Sequence, residues 1–451
     1  TTLDVRGEES RRGTVAKEMI RTGDFIVPRF HGEPHFMSAR PPLQMWTIAA
    51  TSLLTGEVDL FAVRFPSVVA IAFLAVVIYC YSRTFLTRMG AFCAAAAYLS
   101  MLQVLELGRT GETDAVFTLF VTCSLLSWHA GKMREWNPAM VWSLGYGFAA
   151  LATLTKGPQG PVYFAGPAFI YLLVTRDWRY AFRPGHLVGI LTFLCLWGPW
   201  QLLFFLSEGL EGVRHIYFGD VAMYGKEGSL LRHMIEYPLH LAVSFFPWSL
   251  FLLPLFRREL REKLGNARLY ALFLVCCLAV TFPTVWLVKG ARTRFFMPLF
   301  PCVAILAGIV IQRCYEAAAS SPLNKDWRRS HLMFAIALPL IGLTFFVLSV
   351  TGNEWTLAQQ PIGFAVIFFL MTILGSGVLW WARRDQRPRI QQAAVLSIAV
   401  FFGLIVNGIR LNALLATDVP RKEQVAAIEA RVPQNETIYT LGGDVVHPFS
   451  F

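Results

Sequence analysis

The sequence predicts an all-α polytopic membrane protein. Of 451 residues, 55% are hydrophobic and only 15% charged, and the mean hydropathy is +0.51. The apolar residues also arrive in blocks of roughly 16 to 21, the length that crosses a ~30 Å hydrocarbon slab as helix. One water-soluble core cannot hide this much apolar surface, so a soluble globular fold is excluded.

Twelve spans follow: 65–82, 89–106, 114–130, 138–154, 159–174, 186–206, 238–256, 268–288, 296–313, 331–350, 361–381 and 391–410. The connecting loops then alternate sides. Loops 83–88, 131–137, 175–185, 257–268, 313–330 and 382–390 carry 20 Lys+Arg against 7 Asp+Glu, a net of +13. The rest of the chain, with both termini, holds the remaining 20 against 22, a net of −2, and the two sum to the overall +11. By the positive-inside rule the basic loops face the cytoplasm. The basicity is therefore topology, and no nucleic-acid partner is expected.

Residues 1–64 form a long extracytoplasmic segment. Within it, Val15, Met19 and Ile20, then Trp46, Ala50 and Leu53, recur at helical spacing, giving amphipathic helices over about 8–21 and 43–55. Pro41 and Pro42 suit the entry to the second. Helices of this kind lie along a membrane surface. A second long loop is expected at 207–237. The tail 411–451 reads as a helix at 421–431, then a strand to Leu441, the opening of a truncated α/β soluble domain. Thr1 in place of Met suggests that a helix precedes the chain. The expected domains are thus 1–64, a bundle over 65–410, and 411–451.

All eight cysteines fall in or beside apolar blocks, which argues for small buried hydrophobes rather than disulfides or a thiolate metal site. His31, His35, His215 and His233 share the outer face without a helical i, i+4 pair, so no metal ligand set is readable and the cofactor is unknown. The outer boundary does gather ionisable residues: Glu8, Glu9, Arg40, Arg109, Glu112, Asp114, Lys156, Lys289, Arg292 and Arg294. Such groups are costly near a bilayer, and a shared polar cavity accounts for them economically. Carboxylates for proton abstraction beside cations for an anion fit transfer chemistry on a phosphate-bearing substrate. Plainer readings exist: Asp114 as a helix-start acid, Glu8 and Glu9 as a solvated helix start, Lys156 snorkelling, and Arg292 and Arg294 on lipid headgroups.

Several stretches carry a resemblance. They are Glu8-Glu9-Ser10-Arg11-Arg12 leading to Ala16-Lys17-Glu18-Met19, Thr22-Gly23-Asp24-Phe25, Pro28-Arg29, Gly32-Glu33-Pro34, and Arg40-Pro41-Pro42-Leu43 with Trp46. Arg109 to Asp114, Thr155-Lys156-Gly157-Pro158, and Phe296-Met297-Pro298 with Pro301 continue the series. Together they resemble the ArnT-like and protein O-mannosyltransferase families of GT-C glycosyltransferases, over residues 1 to about 320. The resemblance implies a GT-C-type helix bundle and an inverting transfer from a polyprenyl-phosphate sugar. The acceptor would be an extracytoplasmic glycolipid, another envelope glycan or a protein, and the enzyme would sit in the plasma membrane with its active face periplasmic. It also implies that Glu8 or Glu9 is the base and that Asp114 orients the acceptor or tunes that base. Arg40, Lys156, Lys289, Arg292 and Arg294 would surround the phosphate. Ala39 stands where some relatives have an acid, so no metal is assigned. A transporter or flippase of lipid-linked saccharides is the rival reading, but transporters favour repeated halves and mid-membrane charges, and neither is found here.

Overall fold

The computed structural model describes residues 8–30, 32–34, 40–223, 229–351, 362–406 and 430–431. The expected strand and helix at 411–451 thus lie outside the described residues, apart from 430–431. The leading segment folds into α1 (Glu9–Thr22), a short antiparallel hairpin of β1 (Arg29–Phe30) and β2 (Glu33–Pro34), and α2 (Leu43–Thr55). Both helices match the expected boundaries to within about two residues. The hairpin was not anticipated. Val15, Ala16 and Met19 of α1 pack on Met45, Ile48 and Ala49 of α2 and on Val63 behind them. α1 is more enclosed than a helix lying on a membrane surface, because Ser10, Arg11, Arg12 and Glu18 on its polar side are buried as well.

The bundle begins with α3 (Leu60–Ser82), whose start is capped by Asp59 accepting from the Ala62 N–H at 2.7 Å. It continues through α4 (Arg88–Leu99), α5 (Leu102–Leu107), α6 (Thr113–Met133), α7 (Pro138–Lys156), α8 (Gln159–Val174) and α9 (Pro184–Met223). Next come α10 (Leu230–Ser244), a 3₁₀ stretch at Trp248–Phe256, and α11 (Arg258–Glu262). Then follow α12 (Arg268–Thr281), α13 (Pro283–Trp286), a second 3₁₀ stretch at Thr293–Leu299 and α14 (Phe300–Glu316). The last helices are α15 (Pro322–Thr351), α16 (Ile362–Ala382) and α17 (Pro388–Ile405).

Among the described residues each of the twelve expected spans overlaps helical structure, with 361 and 407–410 outside them, but the spans are not equivalent. Among the described residues, seven helices are long and apolar enough to cross a membrane, or eight if a bent pair is counted as one span. The stretch 89–106 is split into α4 and α5, and α8 has only 16 residues. The stretch 238–256 is bent by 114° between α10 and the 3₁₀ stretch after it. The expected loop 207–237 is largely helix, because α9 resumes beyond a break at Gly209 and α10 begins at Leu230. Charged residues there had disguised two amphipathic helices as a loop.

At the centre stands α14 with its leading 3₁₀ turn, 94% of whose apolar window is buried. Around it, Trp128 of α6 packs against Trp142, Phe164, Tyr171 and Phe273. Six cysteines are buried as expected, whereas Cys80 and Cys195 face outward. Where α14 crosses α4 the backbones nearly touch: a Cβ on Gly308 would lie 2.7 Å from the Gly90 carbonyl oxygen and 2.8 Å from Ala94 Cβ. Gly308→Ala should therefore force the two helices apart at a cost of about 1–3 kcal/mol. This would appear as a lower thermal unfolding midpoint in detergent, and an unchanged or higher midpoint would show that the crossing is not tight.

Candidate active site

The first carboxylate pair divides into two different environments. Glu9, the first residue of α1, is wholly buried. Arg64 of α3 grips it bidentately, donating from Nε to Oε1 at 2.8 Å and from Nη2 to Oε2 at 2.9 Å. The Gly111 N–H adds a third bond to Oε1 at 2.7 Å. Gly111 must be glycine for this approach, since a Cβ there would sit 2.2 Å from Val63 Cγ1. Glu8, one residue earlier and just outside the helix, keeps a side chain 29% exposed and pairs with Arg11.

The Glu9 bonds set the geometry of the neighbouring acids. Gly111 is followed by Glu112 at the N-cap of α6, and the Glu8 N–H lies 3.3 Å from Glu112 Oε1. Glu112 is buried, and its carboxyl is held above the usual range by that burial, against the pull of Arg294, with Asp114 pushing it further up. Arg294 Nη1, from the 3₁₀ turn before α14, is 3.5 Å from Glu112 Oε1.

Asp114 is the second residue of α6, in its first turn, and is also buried. Its partner is Lys156 Nζ at 2.6 Å, so its carboxylate serves an ion pair rather than the cap of its own helix. Lys156 ends α7, and Gly157 follows at φ +99°, ψ −154°. An L side chain is strained there. That glycine, then Pro158 opening α8, turns the chain back at once. The ammonium is thereby held at the end of the bundle, with Phe295 and Phe117 rings 5.0 and 5.6 Å away.

Arg40, just ahead of α2, lies within electrostatic reach of Arg12, Asp114 and Lys156. Burial and then Arg40 push the Arg12 guanidinium down to about 10, still cationic at neutral pH, with Glu8 and Glu112 opposing. One cluster thus gathers side chains from α1, the approach to α2, α6, α7 and the turn before α14. Among the expected site residues it joins Glu8, Asp114, Arg40, Lys156 and Arg294, with Glu9 bolted behind it. Arg292 is exposed and Lys289 half-buried. Among the described residues, neither is ion-paired with these carboxylates.

The sequence sets Glu112 on the outer face without giving it a role, and it does not mark Arg11, Arg12 or Arg64 as site residues. For Arg64 a signal existed: a cation directly before the expected span 65–82, in the second turn of α3, calls for a partner at the edge of the bilayer. No group of three or more potential metal ligands occurs among the described residues. His31 and His35 lie outside them, and His215 sits on the surface, 3.8 Å from Glu211.

The fold and the charged cluster define a class, the multi-pass helical membrane proteins with fixed carboxylates and cations gathered at one end of the bundle. Comparison with known proteins narrows it. The family described as dolichyl-phosphate-mannose-protein mannosyltransferase matches residues 39–202. An undecaprenyl phosphate-alpha-4-amino-4-deoxy-L-arabinose arabinosyl transferase of Pseudomonas aeruginosa (strain LESB58) is 30% identical over 68% of this chain and 55% of its own length. Its namesake in Edwardsiella ictaluri is 24% identical over 95% of this chain and 76% of its own. The crystal structure of ArnT from Cupriavidus metallidurans bound to undecaprenyl phosphate superposes with a TM-score of 0.75 at 17% identity, covering 99% of this chain and 80% of that one. In sequence the chain is similar to the ArnT-like GT-C glycosyltransferases that use polyprenyl-phosphate sugars, and its fold is that of ArnT. It spans 55% to 76% of the length of these two curated relatives.

The buried pair gives a direct test. Arg64→Leu leaves the Glu9 carboxylate buried without its cation and should cost about 3–5 kcal/mol, whereas Glu9→Met with Arg64→Leu should recover most of that. Thermal unfolding of the two variants measures it. Equal losses in both would mean the pair is not held as described.

Proposed function

We propose that this protein is an inverting transferase that moves a sugar from a polyprenyl phosphate to an extracytoplasmic acceptor, and that Glu8 is its base. The carrying observation is the division of labour between adjacent glutamates. Glu9 is committed on both oxygens to Arg64 and Gly111, while Glu8 keeps an accessible face at the edge of the cationic cluster.

The chemistry follows from what the groups do. The acceptor's nucleophilic oxygen gives its proton to the Glu8 carboxylate while attacking the anomeric carbon. The bond from that carbon to the phosphate oxygen breaks, and the departing phosphate gains negative charge. Arg40, Lys156 and Arg294 are fixed cations available to meet that charge without reorganising. Asp114 holds Lys156 in place and Glu112 holds Arg294, so these two carboxylates position the cations. Lys289 and Arg292 belong to the same basic turn and are proposed as an outer guide for the lipid phosphate. Attack in a single displacement inverts the anomeric centre.

The face on which this happens follows from loop charge. By the sequence's loop charges the acid-bearing loops are opposite the basic set, which supports a periplasmic position for the cluster in an inner membrane. Nucleotide sugars are cytoplasmic, so a donor already carried across on a lipid is required there. The arabinosyl transferase relatives are named for an undecaprenyl-phosphate donor, which supports a donor of that class here; the acceptor is proposed as an extracytoplasmic glycolipid, another envelope glycan or a protein.

Two measurements test the assignment in the purified protein with a radiolabelled polyprenyl-phosphate sugar. Glu8→Gln should lower transfer by about 10²–10⁴-fold, the usual weight of a positioned base, while donor binding survives. Transfer at the wild-type rate would remove Glu8 from the mechanism. Arg40→Ala should raise the apparent KM for donor more than it lowers the saturated rate, and an unchanged KM would remove Arg40 from the phosphate site.

A further inference from the structure

Towards the other end of α14 from the charged cluster lies a cleft. α14 starts beside the turn carrying Arg294 and runs 17 residues, about 25 Å at helical rise. Near its far end the cleft, of about 530 Å³, opens between α14, α15 and the 3₁₀ stretch Trp248–Phe256, within the size range of ligand sites. Its walls are apolar: Phe251, Leu253 and Phe256 on one side, Val310 and Ile311 behind, Met333 on the other. Leu253 is 63% and Phe256 83% exposed, so the wall continues outward into the surface a bilayer would cover.

Polar groups gather at the rim. Arg257 holds Asp326 through Nε to Oδ2 at 2.7 Å and Nη2 to Oδ1 at 3.1 Å. Arg329 Nη1 is 3.9 Å from the same carboxylate, with its side chain 77% exposed. Two guanidiniums thus share one carboxylate, leaving a unit of positive charge at the mouth of an apolar slot. Arg257 follows the 3₁₀ stretch and Arg329 lies in the first turns of α15, both within the basic sequence segments 257–268 and 313–330 read as cytoplasmic. An occupant needs an apolar body and an anionic end.

We propose that this cleft binds an anionic phospholipid of the cytoplasmic leaflet, its phosphate on Arg257 and Arg329 and one acyl chain along Phe251 and Met333. The site is separate from the transfer site.

The test uses the full chain in phosphatidylcholine vesicles containing brominated phosphatidylglycerol or brominated phosphatidylcholine, reading tryptophan fluorescence. Trp327 lines the cleft, and its share of the signal is the difference between wild type and Trp327→Phe. That share should be quenched at about fivefold lower mole fraction of the anionic lipid, and Arg257→Gln with Arg329→Gln should erase the preference. Equal quenching by both lipids, or by neither, would overturn the proposal. Displacement of the anionic lipid by equimolar polyprenyl phosphate would assign the cleft to the donor lipid instead and overturn it too. Trp327 also donates to Gln391 at 2.7 Å. If Trp327→Phe does not fold, native mass spectrometry of wild type should show retained phosphatidylglycerol that the double arginine variant loses, and no retention in wild type would refute the site. Neither readout involves transfer activity, so its failure is distinct from failure of the Glu8 assignment.

Discussion

The arrangement at the mouth of the bundle depends on one buried ion pair. Glu9 and Arg64 meet two by two with both side chains buried, and the backbone N–H of Gly111 closes the third bond. A carboxylate or a guanidinium alone in that position would be strongly destabilising; together they tie the first helix, the first apolar span and the start of α6 into one unit. Because Glu8 precedes Glu9 and Glu112 follows Gly111, the pair fixes where the neighbouring acids point. A structural pair thereby sets the position of chemically active groups without taking part in their chemistry.

The rest of the cluster repeats this logic at lower cost. Asp114 and Lys156 form a buried pair contributed by the beginning of one helix and the end of the next, and the sharp turn at Gly157 keeps the lysine from leaving. Arg294 arrives on a turn distant in sequence and leans on Glu112. Each charge is accommodated in an apolar bundle because a complementary one is delivered to it by another element. What results is a set of cations held still, which is what stabilisation of a departing phosphate requires.

The fold class was legible because apolar blocks of membrane length are unmistakable, and α1 because Val15, Met19 and Ile20 recur at helical spacing; α2 was found from Trp46, Ala50 and Leu53, but the face it buries is Met45, Ile48 and Ala49, with Ala50 and Leu53 exposed. The hairpin at Arg29–Pro34 was not, since two-residue strands leave no alternation to read. The helices within 207–237 were hidden because Glu208, Glu211, Arg214 and Arg232 look like loop residues until the apolar stripe of Leu231, Ile235 and Leu239 is set beside them. Most of the candidate site could be drawn from its residue types, but the distinct fates of Glu8 and Glu9 could not. That distinction depends on Arg64, which is 55 residues away in sequence from Glu9 and becomes its partner only once α1 packs across α3.

The most direct measurement is a structure of the full protein with a non-hydrolysable polyprenyl-phosphate sugar bound. The account predicts the phosphate among Arg40, Lys156 and Arg294, the Glu8 carboxylate facing the anomeric carbon, and Glu9 still held by Arg64. A phosphate seated away from those cations, or Glu9 released from Arg64 and turned toward the sugar, would contradict it.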